Sequence, residues 1–145
     1  MNTEKRDFDQ DAALWDEKPA RIKMVKDVAA AISRQIALNP DMDVMDFGCG
    51  TGLLTSRIQP LVHSVTGVDS SRGMLDVLNR KIAGLKLHNV KTVFADPDRG
   101  DALTGQYDVV LSNMTLHHIR EIKPLFAQFH KVIRQAGYLC IADLD

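Results

Sequence analysis

Five short apolar runs, separated by stretches with helical spacing, limit this chain more than any other feature of its sequence. The runs lie at 44–47, 64–69, 90–95, 107–112 and 138–142. Strands that are apolar at nearly every position are buried on both faces, as in a parallel sheet covered by helices on each side. Between the runs, residues 52–59, 72–85 and a stretch from about Pro124 through Leu125, Phe129, Val132 and Ile133 carry apolar side chains at steps of three and four. Pro124 suits a first helical turn, and Gly137 is expected to terminate this last helix in a left-handed conformation. Ahead of the first strand, Ile22, Val25, Ala29, Ile32 and Ile36 form one stripe of a further helix, which Asn39-Pro40-Asp41 stops. The expected fold is α/β: a Rossmann-like, doubly wound, mostly parallel sheet of five strands in a three-layer αβα arrangement. In such sheets ligands sit beyond the carboxyl ends of the strands. The residues to watch are therefore Phe47-Gly48, Asp69, Asp96, Ser112-Asn113 and Asp143.

Composition supports one soluble domain. The chain has 145 residues, 45% of them hydrophobic, and a formal charge of −1. A domain of this size buries roughly 68–70% of its unfolded surface, enough for a core without disulfides or structural metal. The two cysteines, Cys49 and Cys140, stand far apart with no Cys/His ligand cluster, so no metal site is expected and a reducing cytosol is the expected compartment. The polar start, Met1-Asn2-Thr3-Glu4-Lys5-Arg6-Asp7, lacks an apolar signal core, and no segment approaches the roughly 20 apolar residues that span a bilayer. Near-zero net charge argues against nucleic acid as a partner.

The segment Asp46-Phe47-Gly48-Cys49-Gly50-Thr51-Gly52 follows a strand and opens a helix, where glycines let a ligand approach bare backbone. Asp69 closes the next strand nineteen residues after Gly50. In a βαβ unit that separation brings a carboxylate beside the loop, ready to accept hydrogen bonds from a ribose diol. A nucleoside-bearing ligand is expected. Position 53, where a dinucleotide fingerprint would place its third glycine, is Leu53, which disfavours a pyrophosphate ligand.

The pattern Asp-x-Gly-x-Gly-x-Gly resembles the first motif of class I S-adenosylmethionine-dependent methyltransferases, closest to the small-molecule branch that includes quinone-biosynthesis-type enzymes. Three further stretches look like that family's later motifs: Gly67-Val68-Asp69-Ser70-Ser71-Arg72-Gly73-Met74-Leu75, Phe94-Ala95-Asp96, and Tyr107-Asp108-Val109-Val110-Leu111-Ser112-Asn113. Leu116-His117-His118-Ile119 is a frequent continuation in the same branch, and the leading Phe8 to Asp16 stretch, with Trp15, resembles its cofactor-covering segment. The resemblance implies that Asp46, Gly48, Cys49 and Gly50 surround the methionine part of S-adenosylmethionine. It implies Asp69 at the ribose, Ser70 at the adenine edge, Asp96 at the adenine amino group and Asn113 on the site floor. S-Adenosylhomocysteine would be the product.

Each of these residues also has a plainer use. Asp46 could cap the glycine turn, Asp96 could be a solvated turn residue before Pro97, and Cys49 a small filler between glycines. His117 and His118 are the candidates for a base, against a structural role in a strand-to-helix turn. The tetrad after the fourth strand that marks amino-methylating nucleic-acid enzymes is replaced here by Ser112-Asn113-Met114-Thr115, so a small organic acceptor is expected. We expect one domain over 1–145, with an N-terminal segment and helix over 1–40 and the Rossmann-like core over 41–145. The family's sixth and seventh strands have no counterpart before Asp145, so the fifth strand is expected to leave an open edge that favours self-association. A non-catalytic binding or scaffold module, and less so an NAD-dependent oxidoreductase, are the alternatives to a methyltransferase.

Overall fold

A computed structural model describes residues 7–143; the polar stretch 1–6 and the end 144–145 lie outside the described residues. Five strands, β1 (Asp43–Phe47), β2 (Ser64–Asp69), β3 (Val90–Phe94), β4 (Tyr107–Asn113) and β5 (Ile133–Ala142), form one sheet in the order β3-β2-β1-β4-β5. Every pairing is parallel. The helices are α1 (Phe8–Asp11), α2 (Pro19–Gln35), α3 (Leu53–Ile58), α4 (Arg72–Leu85) and α5 (Ile122–Val132). The strand order reverses at β1, where successive connections leave in opposite directions, and this opens a crevice at the carboxyl ends of β1 and β4.

Alternation of side chains along each strand divides the core into two layers. Val44 of β1 with Val109 and Leu111 of β4 meets Val25 and Ile32 of α2 and Leu54 and Ile58 of α3. On the other face Met45, Phe47 and Val110 meet Leu125, Phe129 and Val132 of α5. Phe47 and Phe129 pack edge to face with ring centroids 5.2 Å apart. Burying a side chain of that size stabilises the fold by ~1.5–3 kcal/mol. The expected α/β sandwich is therefore the observed one. Among the described residues no helix is long and apolar enough to cross a membrane.

Two details differ from expectation, in α2 and at its counterpart before β5. Ile22 is exposed, so the buried stripe of α2 begins at Val25. Ahead of it, α1 continues into a 3-10 turn at Ala12–Glu17. The last helix stops at Val132, well short of Gly137, and β5 starts at once with Ile133 opposite Tyr107. Residues 134–137 then bulge out before pairing resumes at Tyr138 opposite Val109. A Cβ on Gly137 would lie 2.7 Å from the Asp108 carbonyl oxygen and 2.6 Å from Ile133. The glycine thus serves close backbone approach inside a bulge, and Ala136 takes the left-handed conformation instead, at φ 64°.

Candidate functional site

The loops after β1, β2, β3 and β4 converge with the N-terminal segment on one cleft of about 300 Å³, the lower end of the range for small-molecule sites. All the residues singled out from sequence as cofactor contacts, namely Asp46, Gly48, Cys49, Gly50, Asp69, Ser70, Asp96 and Asn113, line it, as do His117 and His118.

The glycine loop is shaped by what it must pass. Gly48 stands at φ 72°, and a Cβ there would fall 2.1 Å from Oγ1 of Thr115. The turn after β1 and the turn after β4 therefore press together where only a bare α-carbon fits. Two backbone amides from different loops hold the neighbouring acid: Gly50 N–H donates to Oδ2 of Asp69 at 2.8 Å, and Ser71 N–H donates to Oδ1 at 2.9 Å. Burial raises the Asp69 carboxyl above its usual range, and the backbone bonds to Gly50, Ser71 and Ser70 pull the other way.

Asp46 is more enclosed, at 2% exposure, and accepts a hydrogen bond from the Thr55 hydroxyl at 2.7 Å. Burial, opposed by Thr55 and reinforced by the charge of Asp69, pushes its carboxyl up to about 7. Its partner is a side chain of α3 rather than the glycine turn. Cys49 is buried and burial holds its thiol well above the usual range, so it is an inert filler packed with Leu75 and Leu78 of α4. Asp96 caps the 3-10 turn at Pro97–Arg99, accepting from Asp98 N–H at 3.0 Å, and lines the cleft as well. The turn and cleft uses of this residue coexist. Asn113 ends β4, and its buried Oδ1 has no hydrogen-bond partner among the described residues. An orphaned acceptor at a cleft wall is a place for a ligand donor.

The β4 exit is strained: Met114 is held at φ 55°, with its N–H donating to the Ala142 carbonyl at 2.7 Å. Met114 and Ile119 line the cleft, whereas Leu116 is buried in the core. The 3-10 turn Leu116–His118 follows.

Sequence reasoning missed how the N-terminal segment is fastened. Asp9 accepts from the Ser71 hydroxyl at 2.5 Å and from Gly73 N–H at 2.7 Å, at the start of α4. Asp16 pairs with the Thr51 hydroxyl and with Lys81, whose Nζ also donates to the Thr51 carbonyl at 2.9 Å. These ties carry Phe8, Trp15 and Arg21 to the cleft mouth, with the Arg21 guanidinium 3.4 Å from the centre of the Trp15 ring. Among the described residues lining the cleft, Arg21 is the sole Lys or Arg. No local periodicity signals these contacts, because their partners lie 35 and 62 residues apart in sequence.

Comparison with known proteins decides the family. A model of the methyltransferase domain matches residues 44–137. The chain belongs to the methyltransferase-domain family. Among curated relatives, an uncharacterized methyltransferase of Schizosaccharomyces pombe is 27% identical over 110 residues, covering 71% of this chain and 39% of the relative. A malonyl-[acyl-carrier protein] O-methyltransferase of Priestia megaterium is 25% identical over 140 residues, covering 93% of this chain and 48% of the relative. The chain thus spans less than half the length of these two relatives. A SAM-dependent methyltransferase from Aquifex aeolicus has the same fold, with a TM-score of 0.71 at 20% identity over 87% of this chain and 72% of that one. The DhpI–SAM–HEP complex aligns with a TM-score of 0.78 at 20% identity, covering 94% of this chain and 62% of that one.

Proposed function

We propose that this domain binds S-adenosylmethionine in the cleft at the carboxyl ends of β1 and β2 and transfers its methyl group to a small organic acceptor. The observation that carries the proposal is the Asp69 carboxylate, tied to the amide of Gly50 at the rim of the glycine loop. Two oxygens on one planar group match the two hydroxyls of a ribose. The DhpI complex with SAM supports the assignment of the cofactor.

The cleft fits the group residue by residue. Asp69 takes the ribose, Ser70 and Asp96 take the adenine edge and amino group, and the turn of Gly48, Cys49 and Gly50 receives the methionine part on backbone. Arg21, the one Lys or Arg among the described residues lining the cleft, is the cation nearest in kind to what the ligand carboxylate needs. Asp46 and the orphaned Oδ1 of Asn113 are acceptors for its ammonium or other donors. When bound, the cofactor supplies a methyl group already activated by a sulfonium, so the protein's task is mainly to align an acceptor with the methyl carbon and keep water out. Phe8, Trp15, Met114 and Ile119 give the mouth the apolar wall that an organic acceptor needs.

Calorimetric titration tests this. S-Adenosylmethionine and S-adenosylhomocysteine bind and NAD does not; saturable NAD binding with no S-adenosylhomocysteine binding overturns the proposal. Turnover with a panel of phenols, carboxylic acids and amines then separates an enzyme from a binding module.

A further inference from the structure

Asp143, the residue just past β5, reaches back to the turn after β4 with both of its oxygens. Oδ2 accepts the backbone N–H of Leu116 at 2.7 Å, and Oδ1 lies 2.5 Å from Nδ1 of His117. One carboxylate therefore fixes the start of the 3-10 turn and the ring it carries. A carboxylate accepts only, so Nδ1 bears the proton and the lone pair of the neutral ring is on Nε2. No described residue takes Nε2, and His117 lines the cleft. His118 is packed differently, with its ring 3.9 Å from that of His117 and edge-on to Phe8 at 5.1 Å. It walls the dyad off on the side of the N-terminal segment.

Building on the proposed methyl transfer, we propose that His117 is the catalytic base that takes the acceptor's proton, with Asp143 as its positioning residue. The acceptor class follows: the nucleophilic atom is an oxygen or nitrogen that carries a proton. As the acceptor's O–H or N–H bond gives its proton to Nε2, the freed electron pair forms the bond to the methyl carbon. The carbon–sulfur bond breaks with its pair left on sulfur. The imidazolium so formed stays paired with Asp143. Asp143 and His118 contact the base directly; Asp46, Asp69, Asp96, Asp98 and Arg21 share the cleft.

Two measurements test the dyad. In long-range proton–nitrogen spectra of histidine-labelled protein saturated with S-adenosylhomocysteine, His117 carries its proton on Nδ1, and Asp143→Asn moves it to Nε2. A native ring protonated on Nε2, or one that the substitution leaves unchanged, overturns the proposal. In turnover against the panel of phenols, carboxylic acids and amines, His117→Gln lowers kcat by about a hundredfold or more. It also leaves S-adenosylhomocysteine affinity within about twofold. Turnover within twofold of native, or methylation confined to acceptors with no proton to lose, overturns it. Failure of S-adenosylhomocysteine to bind removes the functional proposal and this one together, whereas binding with His117-independent turnover removes this one alone.

Discussion

Asp43 and Asp46 lie three residues apart on β1, yet the two ends of that strand treat them in opposite ways. Asp43, at the amino end, is surrounded by partners: Nδ1 of His63 at 2.8 Å, the Ser64 hydroxyl at 2.7 Å and the Arg134 guanidinium at 3.0 Å. The His63 and Ser64 bonds, joined by Arg134, hold its carboxyl down at about 2. Asp46, at the carboxyl end, has only Thr55 for company among the described residues, through its hydroxyl and backbone, and sits at about 7. The amino rim is electrostatically closed, so its charges serve the fold. At the carboxyl rim the buried Asp46 and the half-buried Asp69 have no Lys or Arg in contact among the described residues, and desolvation there disfavours ionisation. A cationic sulfonium ligand reverses that disfavour. The unmet charge is what distinguishes a binding rim from a structural one.

The largest expected break in this contrast is Gly48→Ala. It adds a Cβ against Thr115 at a left-handed φ, and we expect a loss of stability on the order of 2–4 kcal/mol with cofactor affinity falling too. Denaturant melts check the first effect and calorimetry the second. Next is Asp69→Ala, which removes a charged acceptor of two hydrogen bonds. Affinity for S-adenosylmethionine is expected to drop by about 1.5–3 kcal/mol, roughly ten- to a hundredfold, and unchanged affinity refutes the ribose assignment.

Asp46→Asn sharpens the comparison through pH. Because its folded carboxyl is raised from 3.8 to about 7, the folded state keeps a proton that the unfolded chain releases. Stability from this group is therefore full at low pH and falls as pH rises from about 4 to 7. The unliganded native protein is expected to melt higher near pH 5 than near pH 7.5 relative to Asp46→Asn, in which that step is absent. Binding the sulfonium favours the ionised carboxylate, so native protein releases a proton near neutrality, measurable by calorimetry in buffers of different ionisation heat. The smallest effect belongs to Asp43→Asn. Its depressed carboxyl supports the fold above about pH 4 and ceases to as pH falls through about 2. The variant therefore shows a flatter acid limb in thermal melts and unaltered cofactor affinity.

Much of the fold was legible before any coordinates. The apolar runs at 44–47 and 107–112 read as strands because they are short, nearly continuous and bounded by turn residues, and the helices between them follow from spacing. The boundary between α5 and β5 was misread because Gly137 carries two meanings, helix end or close backbone approach. Only the neighbouring Asp108 carbonyl decides between them. In the cleft, Asp69 could be placed from its distance to Gly50. The ties of Asp9 to Ser71 and of Asp16 to Lys81 could not.

Local order and site chemistry, the glycine loop with an acid one strand on, were determined by sequence alone, because dihedral freedom and hydrophobic period act over a few residues. Tertiary structure decided what those residues face: that Asp43 is neutralised and Asp46 is not, that Arg21 reaches the cleft, and that Asp143 holds His117. Such contacts join segments remote in sequence, and their energies depend on burial and orientation that a linear pattern does not encode.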